Sequence, residues 1–464
     1  MKVSVIGGSG YVGFITGIGL AELGNRVINV DIDSTNVESL NQGRCSIYEE
    51  GVDLAKILKR NLKEGRIQFT TDLKRGIEHA EVIFIAVGTP ERENGEADLS
   101  QVIGVAEDLL RYIDCYKVIV VKSTVPVGTV ELVCSILRRE KAEGEDFDIV
   151  ANPEFLREGR GLYDFFHPTR IVIGANSERA KEIMRRLYAP FITPRPSTQG
   201  LTSNPNPEYR SSNIGLSTGV PLVETDIASA QMIKHASNAF LATRISFINE
   251  IASVCERVGA DVKEVAKGMG YDPRIGHGYL DAGIGFGGPC LEKDLKALIK
   301  IAENCGHEPI FLNSVLEKNE YQVRQVAAKL KELTGYLLYR KIIAIFGLAF
   351  KGGTNDVRTS LSLKVISQLE REGAIIRAYD PVAIQQAKEI KPAVEYYDDP
   401  YEAVRHAEAL LILTDWPEFR ELDYSEIKAR MASPNLIDGK NLLEPRRMQE
   451  LGFAYRGFGR ALLW

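Results

Sequence analysis

The sequence predicts an α/β protein in which two doubly wound, Rossmann-like domains are joined by a central, mostly helical region. Three patterns support this fold class: a strand, glycine-rich turn, helix and strand at the start of the chain, a long helical pattern from Thr225 to Val258, and a restart of the opening pattern at Lys341. The 464 residues, 44% of them hydrophobic, are enough for about three domains.

The opening pattern predicts the first sheet. Lys2–Ile6 is a short apolar strand, residues 11–23 follow a helical pattern that Gly24 can end, and Arg26–Val30 is the second strand. Further apolar runs alternate with helix-like segments, which is typical of a parallel, doubly wound sheet. These runs are residues 82–87, 118–121, 149–151 and 171–174.

A stretch rich in Pro, Ser, Asn and Thr follows this domain. We predict a first domain at 1–194, an insertion or loop at 195–221, a helical region at 222–335 and a last domain at 336–464. The long helix of the central region has apolar residues at three- and four-residue steps. At about 45–50 Å it is long enough to bridge domains or subunits.

The last domain is a weak repeat of the first. Residues 341–347 echo residues 2–7, and residues 373–380 echo residues 24–31. The second copy lacks the glycine triplet of the first, so we expect no second dinucleotide there.

Composition excludes several classes of function. The formal charge of −6 offers no basic excess for nucleic acid. Residues 3–21 are uncharged like a signal peptide, but their glycines fit a nucleotide-binding turn better, and no other segment approaches the ~18 apolar residues of a membrane span. The six cysteines are scattered and form no Cys-x-x-Cys pair, which predicts no metal site and a reducing cytoplasm.

Gly8, Gly10 and Gly13 match the G-x-G-x-x-G dinucleotide motif between a strand and a helix. In this interpretation the first glycine allows the tight turn, the second admits the pyrophosphate, and the third lets helix and strand pack closely. Asp31 ends the second strand, where a carboxylate would accept the ribose hydroxyls and favour NAD over NADP. The alternative is a purely structural turn.

Two further loops follow strands of this sheet, at residues 87–90 and 122–129. Polar residues at carboxyl ends of parallel strands line the cofactor crevice, although ordinary turn chemistry explains each loop equally well. Glu154 and Glu158 follow another strand, where they either cap a helix or face the cofactor and substrate.

The strongest local signal is the glycine-rich segment that leads to Cys290 and Asp294. It predicts a cysteine in the first turn of a helix, with Pro289 at an early position. The helix N-terminus and Lys293 would lower the pKa of the thiol and favour the nucleophilic thiolate. The alternative is a buried structural cysteine, which leaves the surrounding glycines unexplained.

Lys234 and Asn238 are four residues apart on one face of the long helix. An ordinary surface pair has the same spacing. Beside an NAD site and a reactive cysteine, however, they suggest a four-electron chemistry. One hydride loss converts an alcohol to an aldehyde, the thiolate adds to it, a second hydride loss makes a thioester, and water releases the acid. Lys234 and Asn238 would stabilise the oxyanions and Asp294 would position or activate water.

Together these motifs resemble the UDP-glucose/GDP-mannose dehydrogenase family over nearly the whole chain. The resemblance implies an N-terminal NAD domain, a central helical dimerisation region and a C-terminal UDP-sugar domain. The segments that carry it are residues 8–13, 122–129, 152–159, 167–174, 229–250, 283–294, 347–351, 399–404, 413–418 and 438–441.

The resemblance also implies roles for individual residues. The implied catalytic residues are Cys290, Lys234, Asn238, Asp294, Thr124 and Glu154. The implied NAD contacts are Gly8, Gly10, Tyr11, Val12, Gly13, Asp31, Thr89, Thr124, Glu158, Lys293 and Arg358. The implied substrate contacts are Glu154, Phe155, Leu156, Arg157, Glu158, Lys234, Asn238, Arg274, Tyr279, Gly283, Phe286, Gly287, Phe350 and Lys351.

The implied reaction is the NAD-dependent oxidation of UDP-glucose to UDP-glucuronate in a cytoplasmic homodimer or higher even oligomer, with Arg274 reaching the sugar nucleotide across the interface. Phe286 favours UDP-glucose over N-acetylated UDP-sugars, whereas GDP-mannose remains a closer alternative. A catalytically idle sugar-nucleotide sensor is the alternative from another class. The chain departs from the family pattern at Glu292, Thr359, Asn36 and Lys440, none of which is an implied catalytic group.

Overall fold

The computed structural model describes residues 1–92, 95–193 and 219–460. The chain divides into two compact units, Met1–Ala236 and Ser237–Trp464. Each unit contains one sheet, as the predicted fold class requires, so the α/β class with two doubly wound sheets is confirmed. The predicted four-part division stays a prediction, and of the predicted insertion at 195–221 only residues 219–221 lie within the described residues.

The first unit follows the predicted alternation of strands and helices. Its first half consists of β1 (Lys2–Ile6), α1 (Tyr11–Glu22), β2 (Arg26–Val30), α2 (Ser34–Asn41), α3 (Leu54–Lys63), β3 (Ile67–Thr70), α4 (Leu73–His79) and β4 (Val82–Ile85). Its second half adds α5 (Ser100–Tyr112), β5 (Lys117–Val121), α6 (Thr129–Leu137), β6 (Phe147–Ala151), α7 (Gly161–Phe166), β7 (Ile171–Gly174), α8 (Glu178–Ile192) and β8 (Leu222–Thr225). Two buried apolar clusters make up its core.

The described strands of this unit form an eight-stranded sheet in the order β3-β2-β1-β4-β5-β6-β7-β8. All neighbours are parallel except β6 and β7, which meet antiparallel at Ala151 and Gly174. The prediction of a parallel sheet is therefore wrong at this one pair. The reversal arises because the chain leaves β6 and enters β7 from the same side. The Asn152 amide fixes the join by donating to the Val172 carbonyl at 2.7 Å.

One long helix, α9 (Ile227–Val258), spans the boundary between the two units, so Lys234 belongs to the first unit and Asn238 to the second. It confirms the predicted central helix to within two residues at its start. Among the described residues, no helix has both the length and the apolar character that crossing a bilayer would require.

The second unit contains three further helices before its sheet. They are α10 (Val262–Gly270), α11 (Leu291–Asn304) and α12 (Ile310–Thr334). Its sheet region begins with β9 (Ile342–Phe346), α13 (Leu361–Arg371), β10 (Ile375–Tyr379), α14 (Ile384–Ile390), β11 (Glu395–Tyr396), α15 (Pro400–Ala403) and β12 (Ala409–Ile412). It continues with a short 3-10 helix (Pro417–Arg420), α16 (Tyr424–Arg430), β13 (Asn435–Asp438), α17 (Pro445–Glu450) and β14 (Ala454–Arg456).

The described strands of the second unit form an all-parallel sheet in the order β11-β10-β9-β12-β13-β14. Its first strand β9 lies between β10 and β12, just as β1 lies between β2 and β4. Gly347 and Gly7, which follow β9 and β1, share a positive φ of 94° and 85°. The weak repeat in the sequence therefore corresponds to two structurally equivalent strand–turn starts.

Candidate active site

The glycine loop between β1 and α1 is built by close backbone packing. Gly7, with φ of 85°, makes the tight turn that the sequence analysis assigned to Gly8, so that assignment is wrong. A side chain at Gly8 would instead lie 2.5 Å from Asn29 Cβ, and one at Gly13 would lie 2.1 Å from the Gly7 carbonyl oxygen. A side chain at Gly10 would make only an ordinary contact, 3.6 Å from the Gly7 carbonyl oxygen.

The same loop fits the phosphates and ribose of a dinucleotide. Gly10 caps α1 without any side-chain hydrogen bond within the described residues, so no side chain there caps the first N–H groups of the helix, a position suited to a phosphate. Asp31 is half-buried at the end of β2 and accepts hydrogen bonds from the Ser9 N–H at 2.9 Å and the Asp33 N–H at 3.2 Å. These bonds fix its carboxylate beside the loop, where it can accept the ribose hydroxyls of NAD.

The two loops predicted to follow strands of this sheet are joined to each other. The buried Thr89 hydroxyl, after β4, donates to the Thr124 carbonyl, after β5, at 2.9 Å. The Thr89 side chain thus fixes the position of Thr124, whose own side chain is half-buried.

Lys234 and Glu154 form a buried ion pair in the first unit. The Lys234 ammonium lies 2.9 Å from Glu154 Oε1, and the two side chains are only 6% and 7% exposed. Glu154 Oε2 also accepts the Leu156 N–H at 2.5 Å. The sequence analysis treated Lys234 and Glu154 separately, and the structure brings them together. A buried pair is costly to break, because either charge alone would lack compensation.

Lys122 and Asn152 belong to the same buried cluster, and sequence reasoning gave neither a function. The Lys122 ammonium donates to Asn152 Oδ1 at 3.2 Å, and the Tyr188 hydroxyl donates to the same oxygen at 2.7 Å. The pKa of Lys122 is lowered to about 8, chiefly by burial; Glu154 opposes this shift and Lys234 adds to it. The sequence signal that could have identified this group is a lysine directly after the apolar run at residues 118–121.

A cavity of about 10 Å³ adjoins Lys234 and is also lined by Thr124 and Gln231. This volume accommodates about one water molecule. Gln231 is buried, and its Oε1 has no hydrogen-bond partner among the described residues. His235 is also buried, with Nε2 2.9 Å from the Val125 carbonyl oxygen.

The loop between β6 and β7 carries the remaining predicted residues of this unit. The exposed Arg157 is bound to Asp164 through its N–H and guanidinium group, at 2.9 Å and 2.6 Å, whereas Glu158 is half-buried. The Phe155 ring lies 5.5 Å from the Lys234 ammonium and 3.7 Å from the Arg170 guanidinium.

The second unit presents Cys290 at the N-terminus of α11. Cys290 is exposed and occupies the N-cap position, one residue before the first turn predicted for it, and Pro289 lies outside the helix rather than at its predicted early position. Asp294 follows one turn later, and its N–H donates to the Cys290 carbonyl at 2.9 Å. No disulfide links the six cysteines, all of which lie in the described part of the chain.

Asp294 has two polar neighbours in this unit. Its Oδ2 accepts from the Asn238 amide at 2.6 Å, and its Oδ1 accepts from the Lys293 ammonium at 2.7 Å. Lys234 and Asn238, which share a helix face, thus each contact a different buried carboxylate, Glu154 and Asp294 respectively.

The glycine-rich segment before Cys290 is wedged against its surroundings. Side chains at Gly285 and Gly288 would lie 2.3 Å from Asn319 Oδ1 and 2.7 Å from the Phe350 ring, and both glycines have positive φ. The Phe286 backbone exchanges two hydrogen bonds with the Asn319 side chain, at 2.8 Å and 2.9 Å. These contacts therefore fix the backbone that leads into Cys290.

The other predicted substrate and cofactor residues of this unit vary in exposure. Arg274 is paired with Asp272 at 2.6 Å, with its own side chain 87% exposed. Tyr279 is exposed at a positive φ of 59°. Phe286 is buried, while Gly283 packs on the Gly439 carbonyl and Gly287 lies near the Thr359 carbonyl. Lys351 is half-buried beside the Phe350 ring. Arg358 is exposed and bound to Asp356.

The fold and the two clusters define a class of protein, a dehydrogenase that holds a dinucleotide in a doubly wound domain and presents an exposed cysteine at a helix N-terminus. Residues 1–192 match the NAD binding domain of the UDP-glucose/GDP-mannose dehydrogenase family, residues 228–321 its central domain, and residues 344–445 its UDP binding domain. The chain belongs to the UDP-glucose/GDP-mannose dehydrogenase family. The resemblance and the NAD cofactor predicted from the sequence are confirmed.

Individual relatives agree with this assignment. The UDP-glucose 6-dehydrogenase TuaD of Bacillus subtilis strain 168 is 44% identical over 460 residues, covering 99% of this chain and 93% of that protein. The structure of a UDP-glucose dehydrogenase from the hyperthermophilic archaeon Pyrobaculum islandicum superposes with a TM-score of 0.87 at 36% identity, covering 99% and 98% of the two chains. A UDP-D-ManNAc dehydrogenase from Pyrococcus horikoshii superposes with a TM-score of 0.83 at 27% identity, covering 99% of each chain.

Proposed function

We propose that this protein oxidises the C6 alcohol of UDP-glucose to the carboxylate of UDP-glucuronate. The observation that carries the proposal is Cys290 at the N-terminus of α11, one turn before the Asp294–Asn238 pair, in a chain with the family's NAD binding domain. The choice of UDP-glucose rests on relatives, since those named for this sugar are more similar in sequence than the one named for an N-acetylated sugar.

The reaction balances as one alcohol, two NAD⁺ and one water giving one carboxylate, two NADH and three protons. Bound at the β1–α1 glycine loop and Asp31, NAD would supply the hydride acceptor for each of the two oxidations. In the first, Lys234 and Asn238 donate hydrogen bonds to the oxygen of the reacting carbon as its proton leaves. Glu154, bound to Lys234, holds that ammonium in place and receives protons through it or through water beside Thr124.

Cys290 carries the second half of the reaction. Its thiolate forms a C–S bond with the aldehyde carbon, and loss of hydride from the thiohemiacetal leaves a thioester. Asp294 positions a water that attacks the thioester carbon, after which the C–S bond breaks and the thiolate is restored. The glycine-rich segment keeps Cys290 in the same position for both steps, since the backbone of the segment is packed against Asn319 and Phe350.

The remaining predicted contacts form the binding surfaces of this proposal. Gly8, Gly10, Tyr11, Val12, Gly13, Asp31, Thr89, Glu158, Lys293 and Arg358 serve NAD, and Phe155, Leu156, Arg157, Arg274, Tyr279, Gly283, Phe286, Gly287, Phe350 and Lys351 serve the sugar nucleotide. The predicted cytoplasmic location and the absence of a nucleic-acid partner stay predictions.

The stoichiometry of NADH tests the proposed function. With UDP-glucose limiting and NAD⁺ in excess, we expect about two NADH per sugar, because the thioester step couples two hydride transfers. Absorbance at the NADH band and chromatography of the product measure both quantities. One NADH per sugar would mean that the reaction stops at the aldehyde and that Cys290 has another role.

Competition between substrates tests the choice of sugar. At equal concentrations of UDP-glucose, GDP-mannose and N-acetylated UDP-sugars, we expect UDP-glucose to be consumed first. A preference for GDP-mannose would overturn the substrate but keep the reaction. A clean protein that turns over none of them would revive the sensor alternative.

We also propose that the protein is a homodimer through α9. Phe240, Phe247 and Val254 lie at seven-residue steps and are 61%, 48% and 48% exposed. Residues at this spacing form one stripe along a helix, and an exposed apolar stripe is typical of a surface that packs on a second copy. The exposed Arg274 side chain belongs to the same central region and would reach the sugar nucleotide of the partner protomer.

Complementation tests the dimer and Arg274 together. Arg274→Ala and Cys290→Ser should each be nearly inactive alone, yet co-expression should recover about a quarter of the wild-type rate, because half of the dimers then contain one intact site. Adding Phe247→Asp to both chains should give monomers by light scattering and remove the recovery. Co-expressed dimers without recovery would place Arg274 in the site of its own protomer.

A further inference from the structure

Lys122 is a second lysine in the buried cluster of the first unit, and the proposed mechanism gives it no role. It follows directly after β5 and is 7% exposed. Its ammonium lies 3.2 Å from Asn152 Oδ1 and 5.9 Å from the centre of the Phe84 ring. It is therefore removed from bulk water, and its partner Asn152 lies two residues before Glu154 in the same loop.

The hydrogen bonds of this ammonium are incomplete. It has three N–H donors, and Asn152 Oδ1 is the single acceptor it meets in the part of the chain that the structure describes. Asn152 cannot adjust, because its oxygen also accepts from the Tyr188 hydroxyl and its amide donates to the Val172 carbonyl. A lysine placed for stability alone would be a poor choice here, since an apolar side chain of similar length would avoid the cost of burying the charge.

The charged groups that act on Lys122 are both implied catalytic residues. Glu154, in the loop after β6, and Lys234, on α9, both interact electrostatically with its ammonium. The other elements against it present uncharged groups, the Phe84 ring from β4 and, through Asn152, the Tyr188 hydroxyl from α8. Burial lowers the pKa of Lys122 from 10.5 to about 8, so its charge changes within the range where enzymes work.

We propose that Lys122 is a positioning residue whose charge sets how tightly the Lys234–Glu154 pair holds its protons. This inference rests on the proposed function, in which that pair serves the reacting carbon. Two ammonium groups around one carboxylate make the cluster more positive than a simple ion pair, which favours release of a proton from it. Removing the Lys122 charge makes the cluster less positive, so the same groups keep their protons to higher pH.

The pH dependence of kcat and kcat/KM tests the proposal. In Lys122→Met we expect the limbs of the profile to move to higher pH by about one unit, because a like charge within several ångströms shifts titrations by that order. Lys122→Arg keeps the charge and should keep the limbs within a few tenths of a unit. Equal shifts in both variants would show that the charge is not the cause.

Melting temperature separates this role from a structural one. The folded protein binds the Lys122 proton less tightly than the unfolded chain, so this group makes stability rise as pH increases from about 8 to 10.5, and its destabilising effect is complete below pH 8. Lys122→Met should therefore melt at or above the wild-type temperature at pH 7. The difference in melting temperature between the variant and the wild type should shrink above pH 8.

Lys117→Met is the matched control on the same strand. Lys117 is also buried, with its ammonium 3.4 Å from Asp114 Oδ1 and 3.5 Å from the Glu78 carbonyl oxygen, at the far end of β5. Its loss should lower the melting temperature and leave the pH limbs in place. The same pattern in Lys122→Met would overturn the inference, whereas an inactive wild-type protein would overturn the proposed function and the inference with it.

Discussion

Replacing Cys290 with serine is expected to slow formation of UDP-glucuronate by about three orders of magnitude or more, as in other enzymes that lose a covalent nucleophile. A hydroxyl is a far weaker nucleophile than a thiolate at neutral pH, and the oxygen ester that it would form hydrolyses more slowly than a thioester. Chromatography of UDP-sugars under steady-state conditions measures the loss. Binding of NAD, followed by fluorescence titration, should be unchanged.

Cys305→Ser is the matched control, because Cys305 is exposed at the opposite end of α11. It should retain the wild-type rate within about twofold, as surface substitutions usually do. Mass spectrometry of the wild-type protein quenched during turnover should find a sugar-nucleotide adduct on the peptide that contains Cys290. A Cys290→Ser variant that turns over at the wild-type rate would refute covalent catalysis.

Replacing Lys234 with methionine is expected to remove both activity and stability. The variant leaves the Glu154 carboxylate buried without its cation, a loss of about 3–5 kcal/mol in the free energy of unfolding. In a unit of this size ~1 kcal/mol changes Tm by about 2–4 °C, so Tm should fall by roughly 6 °C or more. Differential scanning calorimetry and NADH formation measure the two effects.

The double variant Lys234→Met with Glu154→Gln separates the two effects. Removing both charges should return most of the lost Tm, since a neutral pair avoids the cost of burying an isolated charge. Activity should stay low, because neither group then stabilises an oxyanion or moves a proton. Recovery of activity together with Tm would mean that this pair is structural and that the chemistry depends on other groups.

The elements of the fold were predictable where one local pattern decided them. Lys2–Ile6, Arg26–Val30 and Ile171–Gly174 agree with the sequence prediction at both ends. Strand direction was not predictable at β6 and β7, because apolar runs indicate burial but carry no sign of direction. That direction depends on where the intervening loop leads the chain, which is a tertiary property.

The sequence identified individual residues of the candidate site but did not predict which of them contact each other. Spacing identified Lys234, Asn238, Cys290 and Asp294, yet it paired Lys234 with Asn238, whereas each contacts a carboxylate from a distant segment. Lys122 was overlooked because its significance comes from burial among charges brought by other elements. Contacts between residues 80 positions apart, such as Glu154 and Lys234, leave no local pattern in one sequence.

The repeat shows how equivalent positions acquire different chemistry. Asp380 ends β10 as Asp31 ends β2, but Asp380 is buried and accepts from the Leu348 and Ala349 N–H groups. Asp31 is half-buried and retains access to solvent. A carboxylate at the end of the second strand is therefore a ribose ligand only where the turn beside it leaves room.

Because β6 and β7 are antiparallel, residues 152–170 form a connecting segment that can be exchanged as one piece. Since the segment leaves and re-enters the sheet from the same side, another family member's version could replace it without rethreading any strand. Its closure is partly internal, through Arg157 and Asp164, and Glu49 clamps it from outside by accepting from the Gly161 and Leu162 N–H groups. Such grafts, with Glu49, Asn152 and Glu154 retained, would test whether this one loop influences the choice of sugar.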